Sequence, residues 1–209
     1  MMKSEVYYFT GTGNSLTVAK DLAKEIDGEL ISIPYAVSED VIKIDTKVVV
    51  MVFPVYMWGM PLIIERFIQK IENLKDKSIY AVVTYGGMPG ATINILAETL
   101  AKYGGKLSAG FAVHMPGNYT PMYGAIAEEK QQKMFADWSK KGKFIVDYIN
   151  ANKQGKKENS NILVNLIFSS LIYNLAAKHI PEMDKDFGPI KNVINAASAK
   201  KFVRCPISK

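Results

Sequence analysis

Cysteine and histidine are scarce in this 209-residue chain, which has one cysteine, Cys205, and two histidines, His114 and His179. One thiol excludes an internal disulfide, a four-cysteine zinc site and a cysteine-ligated iron–sulfur cluster within the chain. Two histidines far apart in sequence argue against a histidine-rich metal site. Arginine is nearly missing as well, with only Arg66 and Arg204 among 26 basic residues. Lysine lacks the guanidinium fork that reads guanine, so the net charge of +6 does not point to a nucleic-acid partner. No apolar run reaches the ~20 residues of a membrane-spanning helix. The amino terminus runs straight into a strand-like segment, so no secretory leader is expected, and the expected location is cytoplasmic.

What is present is a 48% hydrophobic, 11% aromatic composition, enough to offset the entropy of chain ordering in one well-buried domain. Charge is unevenly spread. Residues 1–129 carry 11 basic and 14 acidic side chains, and residues 130–209 carry 15 basic and 6 acidic ones.

The first two-thirds alternate strand-like and helix-like segments. Val6–Phe9 is a short β-branched and aromatic run ended by Gly11 and Gly13, and Ser15 to about Ile26 has helical spacing with Gly28 as its expected stop. Leu30–Ile33 predicts a second strand, and Val48–Phe53 a central strand covered on both faces. Pro61 suits the first turn of a helix reaching about Ile71. Ile79–Thr84 predicts a fourth strand, Ala91–Tyr103 a helix packing through Ile95, Leu96, Thr99 and Leu100, and Leu107–Val113 a fifth strand. A long helix follows from Ala125 to about Asn150, with Met134, Phe135, Trp138, Ile145 and Ile149 as its packing residues. Strand–helix alternation predicts an α/β fold with a parallel sheet and helices on both faces, a three-layer sandwich.

The lysine-rich stretch 151–161 is expected to be an exposed linker. Ile162–Ala177 is almost wholly apolar, 16 residues that as a helix would span about 24 Å, short of a bilayer core. It is expected to pack on the domain or on a second copy in a homodimer, or to lie against a membrane surface. The expected division is a domain over 1–152 and a basic extension over 153–209.

Three loops carry the chemistry. The first, Phe9-Thr10-Gly11-Thr12-Gly13-Asn14-Ser15, leaves a strand and enters a helix, where backbone N–H groups and the helix dipole attract an anion. Its glycines let the backbone wrap a phosphate, and its short polar side chains add donors without any lysine or arginine. No Gly-Lys-Ser/Thr triplet occurs, which excludes a P-loop. Leu16 stands where a dinucleotide fingerprint has its third glycine. An unoccupied turn capped by Ser15 or Asn14 is the bland alternative. The second loop, Pro54-Val55-Tyr56-Met57-Trp58-Gly59-Met60-Pro61, puts aromatic rings at a strand end, where a flat heteroaromatic ligand stacks; Gly59 would supply a peptide facing it. The third is Thr84-Tyr85-Gly86-Gly87-Met88-Pro89-Gly90. In open α/β sheets ligands bind beyond the carboxyl ends of the strands, where all three loops should converge.

A phosphate at one loop and a flat ring between the other two describe FMN, and the T-G-T-G-N-S, F-P-V-Y-M-W-G-M-P and T-Y-G-G-M-P-G loops together resemble the flavodoxin-like family. The resemblance covers about residues 4–150. It implies strand order 2-1-3-4-5, FMN as cofactor and a role as electron carrier or flavin-dependent reductase. The chain is also similar to the N-terminal domains of flavodoxin–ferredoxin fusion proteins, which share the M-P-x-N-Y stretch seen here as Met115–Tyr119; that likeness implies Asn118 and Tyr119 as further flavin contacts. Those proteins continue into two four-iron cluster motifs, whereas this chain offers only Cys205-Pro206. The leading expectation is electron transfer with a protein partner, such as an acidic ferredoxin steered by the lysine-rich extension. The alternatives are an FMN-dependent oxidoreductase acting on a quinone or other small acceptor, and a flavin-free binding protein on the same fold. No catalytic acid–base pair is expected: His114 reads as a satisfied core or edge histidine.

Overall fold

A computed structural model describes residues 3–117 and 126–160. Five strands, β1 (Ser4–Tyr8), β2 (Gly28–Ser32), β3 (Val48–Pro54), β4 (Ser78–Tyr85) and β5 (Leu107–His114), form one sheet in the order β2-β1-β3-β4-β5. All pairings are parallel, with Val6 opposite Val50 and Val50 opposite Tyr80. This is the flavodoxin-like α/β arrangement that the strand–helix alternation and the resemblance led us to expect. The helices are α1 (Asn14–Glu25), α2 (Ile33–Ala36), α3 (Leu62–Gln69), α4 (Thr92–Lys102) and α5 (Glu128–Asn150).

Strand alternation sorts the core into two layers. Val6, Val50, Val52, Val82 and Phe111 pack with Val18 and Leu22 of α1 and with Trp138, Ile145 and Ile149 of α5. Tyr7, Val49, Met51, Phe53, Ala81 and Val83 pack with Ile33 of α2, Ile64 and Phe67 of α3, and Ile93 and Leu96 of α4. Because β3 is buried from Val48 to Phe53, its sequence shows no polar alternation.

Several local expectations are corrected. α1 ends at Glu25 and Asp27 takes the left-handed turn (φ 50°), so Gly28 is not the stop but the first residue of β2. A side chain at Gly28 would meet the Ser4 Oγ at 2.9 Å, so glycine serves strand packing there. Ile33 belongs to the unforeseen α2, with Pro34 in its first turn. On α4, Ile93 is fully buried whereas Ile95 and Thr99 are half-buried; the missing side chain of Gly110 makes room for it, since a Cβ there would lie 2.3 Å from the Ile93 Cγ2. On α5, Phe135 is exposed and Gly142 is buried against Trp138. The Trp138 Nε1–H donates to the Asp21 carboxylate at 2.8 Å, tying α5 to α1.

The expected exposed linker is largely exposed, as expected, but among the described residues it is bound as a strap along the outer edge of β5. The Gly155 N–H donates to the Ser108 carbonyl (2.8 Å), the Gly110 N–H to the Lys156 carbonyl (2.8 Å) and the Glu158 N–H to the Gly110 carbonyl (3.0 Å). The strap therefore satisfies the polar edge that a terminal strand would otherwise present. Glu158 fixes it: one carboxylate oxygen accepts from the Ala112 N–H (3.0 Å) and from the Lys141 ammonium (2.6 Å). The Ile162–Ala177 and Cys205 expectations lie outside the described residues. Among the described residues no helix is long and apolar enough to cross a membrane.

Burial alone would raise the Glu158 carboxyl, but the hydrogen bonds from Lys141 and Ala112 outweigh it and hold the group below the ordinary carboxylate range. A depressed folded-state value stabilises the fold above the unfolded pKa, and that contribution is lost as pH falls through the folded value. Glu158→Gln should therefore lower unfolding stability by about 1 kcal/mol at pH 7. The deficit should shrink toward zero at pH 3, as read from urea midpoints at the two pH values.

Candidate functional site

Because every strand runs the same way, the loops after β1, β3, β4 and β5 open at one rim. The chain reverses its order between β1 and β3, the place where an open α/β sheet parts its loops. At β1 the Phe9 N–H still bonds the Val52 carbonyl (2.9 Å), after which the chain leaves the sheet. Gly13 adopts φ 101°, a left-handed conformation suited to glycine, and offers no side-chain cap to α1. The first rung of the helix is the Thr17 N–H to the Gly13 carbonyl (2.9 Å), so the N–H groups of Asn14, Ser15 and Leu16 stand outside the helical ladder. The Gly13 N–H donates to the Thr10 Oγ1 at 3.0 Å. As acceptor, that hydroxyl keeps its own proton to donate. Gly11 and Thr12 are exposed.

Two side chains expected to donate into the loop serve other partners. The Asn14 Nδ2 donates to the Pro116 carbonyl at 2.9 Å, joining this loop to the segment after β5. Ser15 is buried, and its hydroxyl shares a 2.8 Å hydrogen bond with the buried Thr84 hydroxyl at the end of β4. Ser15 and Thr84 thus lie beneath the loop as a latch between α1 and β4.

The second loop is a tight reversal. Pro54 ends β3 and the Val55 N–H bonds the Thr84 carbonyl (2.8 Å). Tyr56 and Gly59 then exchange both backbone hydrogen bonds (3.1 and 2.9 Å). Met57 and Trp58 at the tip have φ of 48° and 60°, the type I′ geometry that normally calls for Asn or Gly. Such conformations cost about 1–3 kcal/mol each and persist where surroundings over-determine them. Gly90 supplies that support, since a Cβ there would lie 2.2 Å from the Trp58 carbonyl oxygen. The Gly59 N–H donates to the Tyr56 carbonyl within the turn, and Gly59 is buried.

Contacts bring the loops together. The Tyr56 ring meets Phe9 edge-on with centroids 5.9 Å apart, and a Cβ on Gly11 would touch the Tyr56 hydroxyl oxygen at 3.0 Å. Burial raises the pKa of Tyr56, keeping the phenol neutral. In the third loop Tyr85 stacks on His114, with centroids 5.2 Å apart and planes 17° from parallel. The His114 Nε2 pairs with the Gly86 carbonyl at 2.9 Å. Burial and, after it, the Glu158 charge raise the pKa of Tyr85. Gly86 is half-buried, and Gly87 and Met88 are exposed. The Met115 N–H closes on the Tyr85 carbonyl (2.9 Å). Asn118 and Tyr119 lie outside the described residues. Phe9 and Gly90 were singled out as loop residues, but the Phe9–Tyr56 contact, the close approach of Gly90 to Trp58 and the Asn14–Pro116 bond were not foreseen. Among the described residues no group of acidic, histidine or cysteine side chains could hold a metal ion.

A family model described as flavodoxin domain matches residues 5–146. The chain belongs to the flavodoxin domain family. No curated protein matches it. Similar solved structures include a flavodoxin from the domain Archaea, at 16% identity with 68% of this chain and 99% of that chain covered and a TM-score of 0.44. An azoreductase from Bacillus anthracis is 11% identical, with 70% and 99% covered and a TM-score of 0.48. The rubredoxin oxygen:oxidoreductase of Desulfovibrio gigas is 16% identical, with 72% and 36% covered and a TM-score of 0.47.

The Ser15–Thr84 latch of this flavodoxin domain yields a double-mutant cycle. Thr84→Val leaves the buried Ser15 hydroxyl without its partner and should cost about 1–3 kcal/mol in urea unfolding. Adding Ser15→Ala should cost less than the sum of the two single changes. Gly90→Ala should destabilise by about 1–3 kcal/mol through overpacking against Trp58, with a lower thermal midpoint and altered tryptophan emission.

Proposed function

We propose that this flavodoxin-family chain binds FMN at the rim above the β1–β3 junction and exchanges electrons with a protein partner. The observation that carries the reading is the uncapped start of α1: left-handed Gly13 leaves the Asn14, Ser15 and Leu16 amides outside the helical ladder, beside an aromatic turn. The donor set fits a phosphate, because backbone amides at a helix N-terminus favour an anion without a charged side chain. Thr10, Gly11, Thr12 and Gly13 would surround it, with the Thr10 hydroxyl donating outward. Asn14 and Ser15 would contribute amides while their side chains brace the loop through Pro116 and Thr84.

Pro54, Val55, Tyr56, Met57, Trp58 and Gly59 would form one wall of the ring site, and Thr84, Tyr85, Gly86 and Gly87 the other. Asn118 and Tyr119 join the proposed site through the resemblance to the fusion proteins. FMN, when bound, supplies the redox chemistry. The aromatic rings would orient it and exclude water, and the neutral phenols of Tyr56 and Tyr85 would add no charge to an environment where charge is costly.

A protein partner is supported by composition. The chain has no cysteine set for a cluster of its own, and residues 130–209 are strongly basic. An acidic ferredoxin-like protein suits that charge. The extension expected from residue 153 begins as the strap on β5, so its attachment to the domain is rigid through Ser160.

The test is an absorption spectrum after FMN addition and gel filtration, followed by dithionite titration. Flavin bands eluting with the protein are expected, and a colourless fraction overturns the reading. Gly13→Val, strained at φ 101°, should weaken FMN binding by about tenfold or more. Raising salt from low to physiological strength should slow reduction by an acidic ferredoxin several-fold, and a salt-independent rate would remove the steering argument.

A further inference from the structure

At the end of β4 the ladder is used up on both flanks. The Thr84 carbonyl accepts from the Val55 N–H (2.8 Å) and the Tyr85 carbonyl from the Met115 N–H (2.9 Å), so Gly86 carries the first carbonyl beyond the sheet. A side chain takes it. The His114 Nε2, at the last residue of β5, lies 2.9 Å from the Gly86 oxygen. A carbonyl only accepts, which assigns a proton to Nε2 and makes the imidazole the donor. Tyr85 and His114 stand opposite one another in the β4–β5 register. Their rings stack with centroids 5.2 Å apart and planes 17° from parallel, which holds the imidazole in place for this bond. His114 itself is exposed, so filling the core does not explain it.

The bond falls on the one peptide of the third loop that has glycine on both sides. With no Cβ on Gly86 or Gly87, sterics leave the plane of that peptide free to turn. No peptide bond among the described residues is cis, and in a planar trans peptide the N–H points opposite to the C=O. Holding the Gly86 carbonyl at the imidazole therefore turns the Gly87 N–H away from His114. Gly87 is exposed, and its N–H has no hydrogen-bond partner among the described residues. β3 and the loop that follows it lie on the flank of β4 opposite to β5. We propose that His114 is a positioning residue of the rim: by holding the Gly86 carbonyl it presents the Gly87 N–H as a fixed donor to a ligand bound there. The ligand's identity rests on the flavin reading. Its chemistry must supply an acceptor, a carbonyl oxygen or an unprotonated ring nitrogen, at the edge of a flat ring.

The test separates the donor from the ring in the full chain. His114→Phe keeps a ring beside Tyr85 but cannot donate, and His114→Gln gives up the ring but keeps an amide donor. FMN titration should show the dissociation constant raised about tenfold in His114→Phe and restored to within about twofold in His114→Gln. A His114→Gln protein no tighter than His114→Phe overturns the proposal, as does a His114→Phe protein that binds FMN as tightly as the unsubstituted chain. Gly87→Pro deletes the donor and leaves His114 in place. It should lose about as much affinity as His114→Phe, and the two changes together should cost little more than either alone. Fully additive losses overturn the proposal. A second readout needs no flavin. In the FMN-free proteins the Gly86 and Gly87 amides should each give one NMR resonance in the unsubstituted chain and in His114→Gln, and doubled or broadened resonances in His114→Phe. Single, sharp resonances in all three overturn the proposal. If the unsubstituted chain takes up no FMN, the flavin reading fails, and the resonances alone decide whether His114 sets the loop.

Discussion

A parallel sheet buried on both faces has nowhere along its strands for polar chemistry; only its ends are available. Here β3 is sealed from Val48 to Phe53, and β4 from Ile79 to Thr84. The order β2-β1-β3-β4-β5 sends the first connection one way across the sheet and later ones the other. The loops after β1 and β3 therefore part, and the start of α1 stands at the gap. Every candidate contact in this molecule follows from that constraint, and the Ser15–Thr84 and Asn14–Pro116 hydrogen bonds tie α1 to the end of β4 and to the segment after β5.

Much of this was legible in the residues. Continuous apolar runs at 48–53 and 79–84 marked the central strands, and Gly-rich loops at their carboxyl ends marked the rim. Side-chain roles were harder to read. Ser15 and Thr84 belong to loops rich in donors, and nothing in one dimension shows that two hydroxyls separated by 69 positions meet under the surface. Ile93, not Ile95, takes the core because Gly110 on a distant strand leaves the space. The lysines and the glycine rightly signalled an exposed stretch; what they did not reveal is its edge pairing with β5 and the Glu158 side chain that fixes it.

The strap also changes the meaning of the basic carboxyl-terminal third. A free lysine-rich linker would let the following segment roam, with its local concentration diluted over the accessible volume. Here it is fixed along β5 and hooked to Gly90 as far as Ser160. The entropy of positioning is then met within the fold, by edge hydrogen bonds and one partly buried ion pair.

Backbone strain is concentrated at the same place. Among the described non-glycine residues with positive φ, only Met57 and Trp58 are adjacent in sequence, and both sit at the rim. Two exchanged hydrogen bonds and the bare backbone of Gly90 hold them there. Gly13 is also left-handed, and its N–H donates to the Thr10 Oγ1. The Asn14 and Ser15 side chains that brace the loop from within cannot also reach outward, so on the proposed flavin reading recognition at α1 would fall to main-chain amides and the Thr10 hydroxyl. Such a site tolerates changes among its short polar residues better than any change that shifts the φ of Gly13.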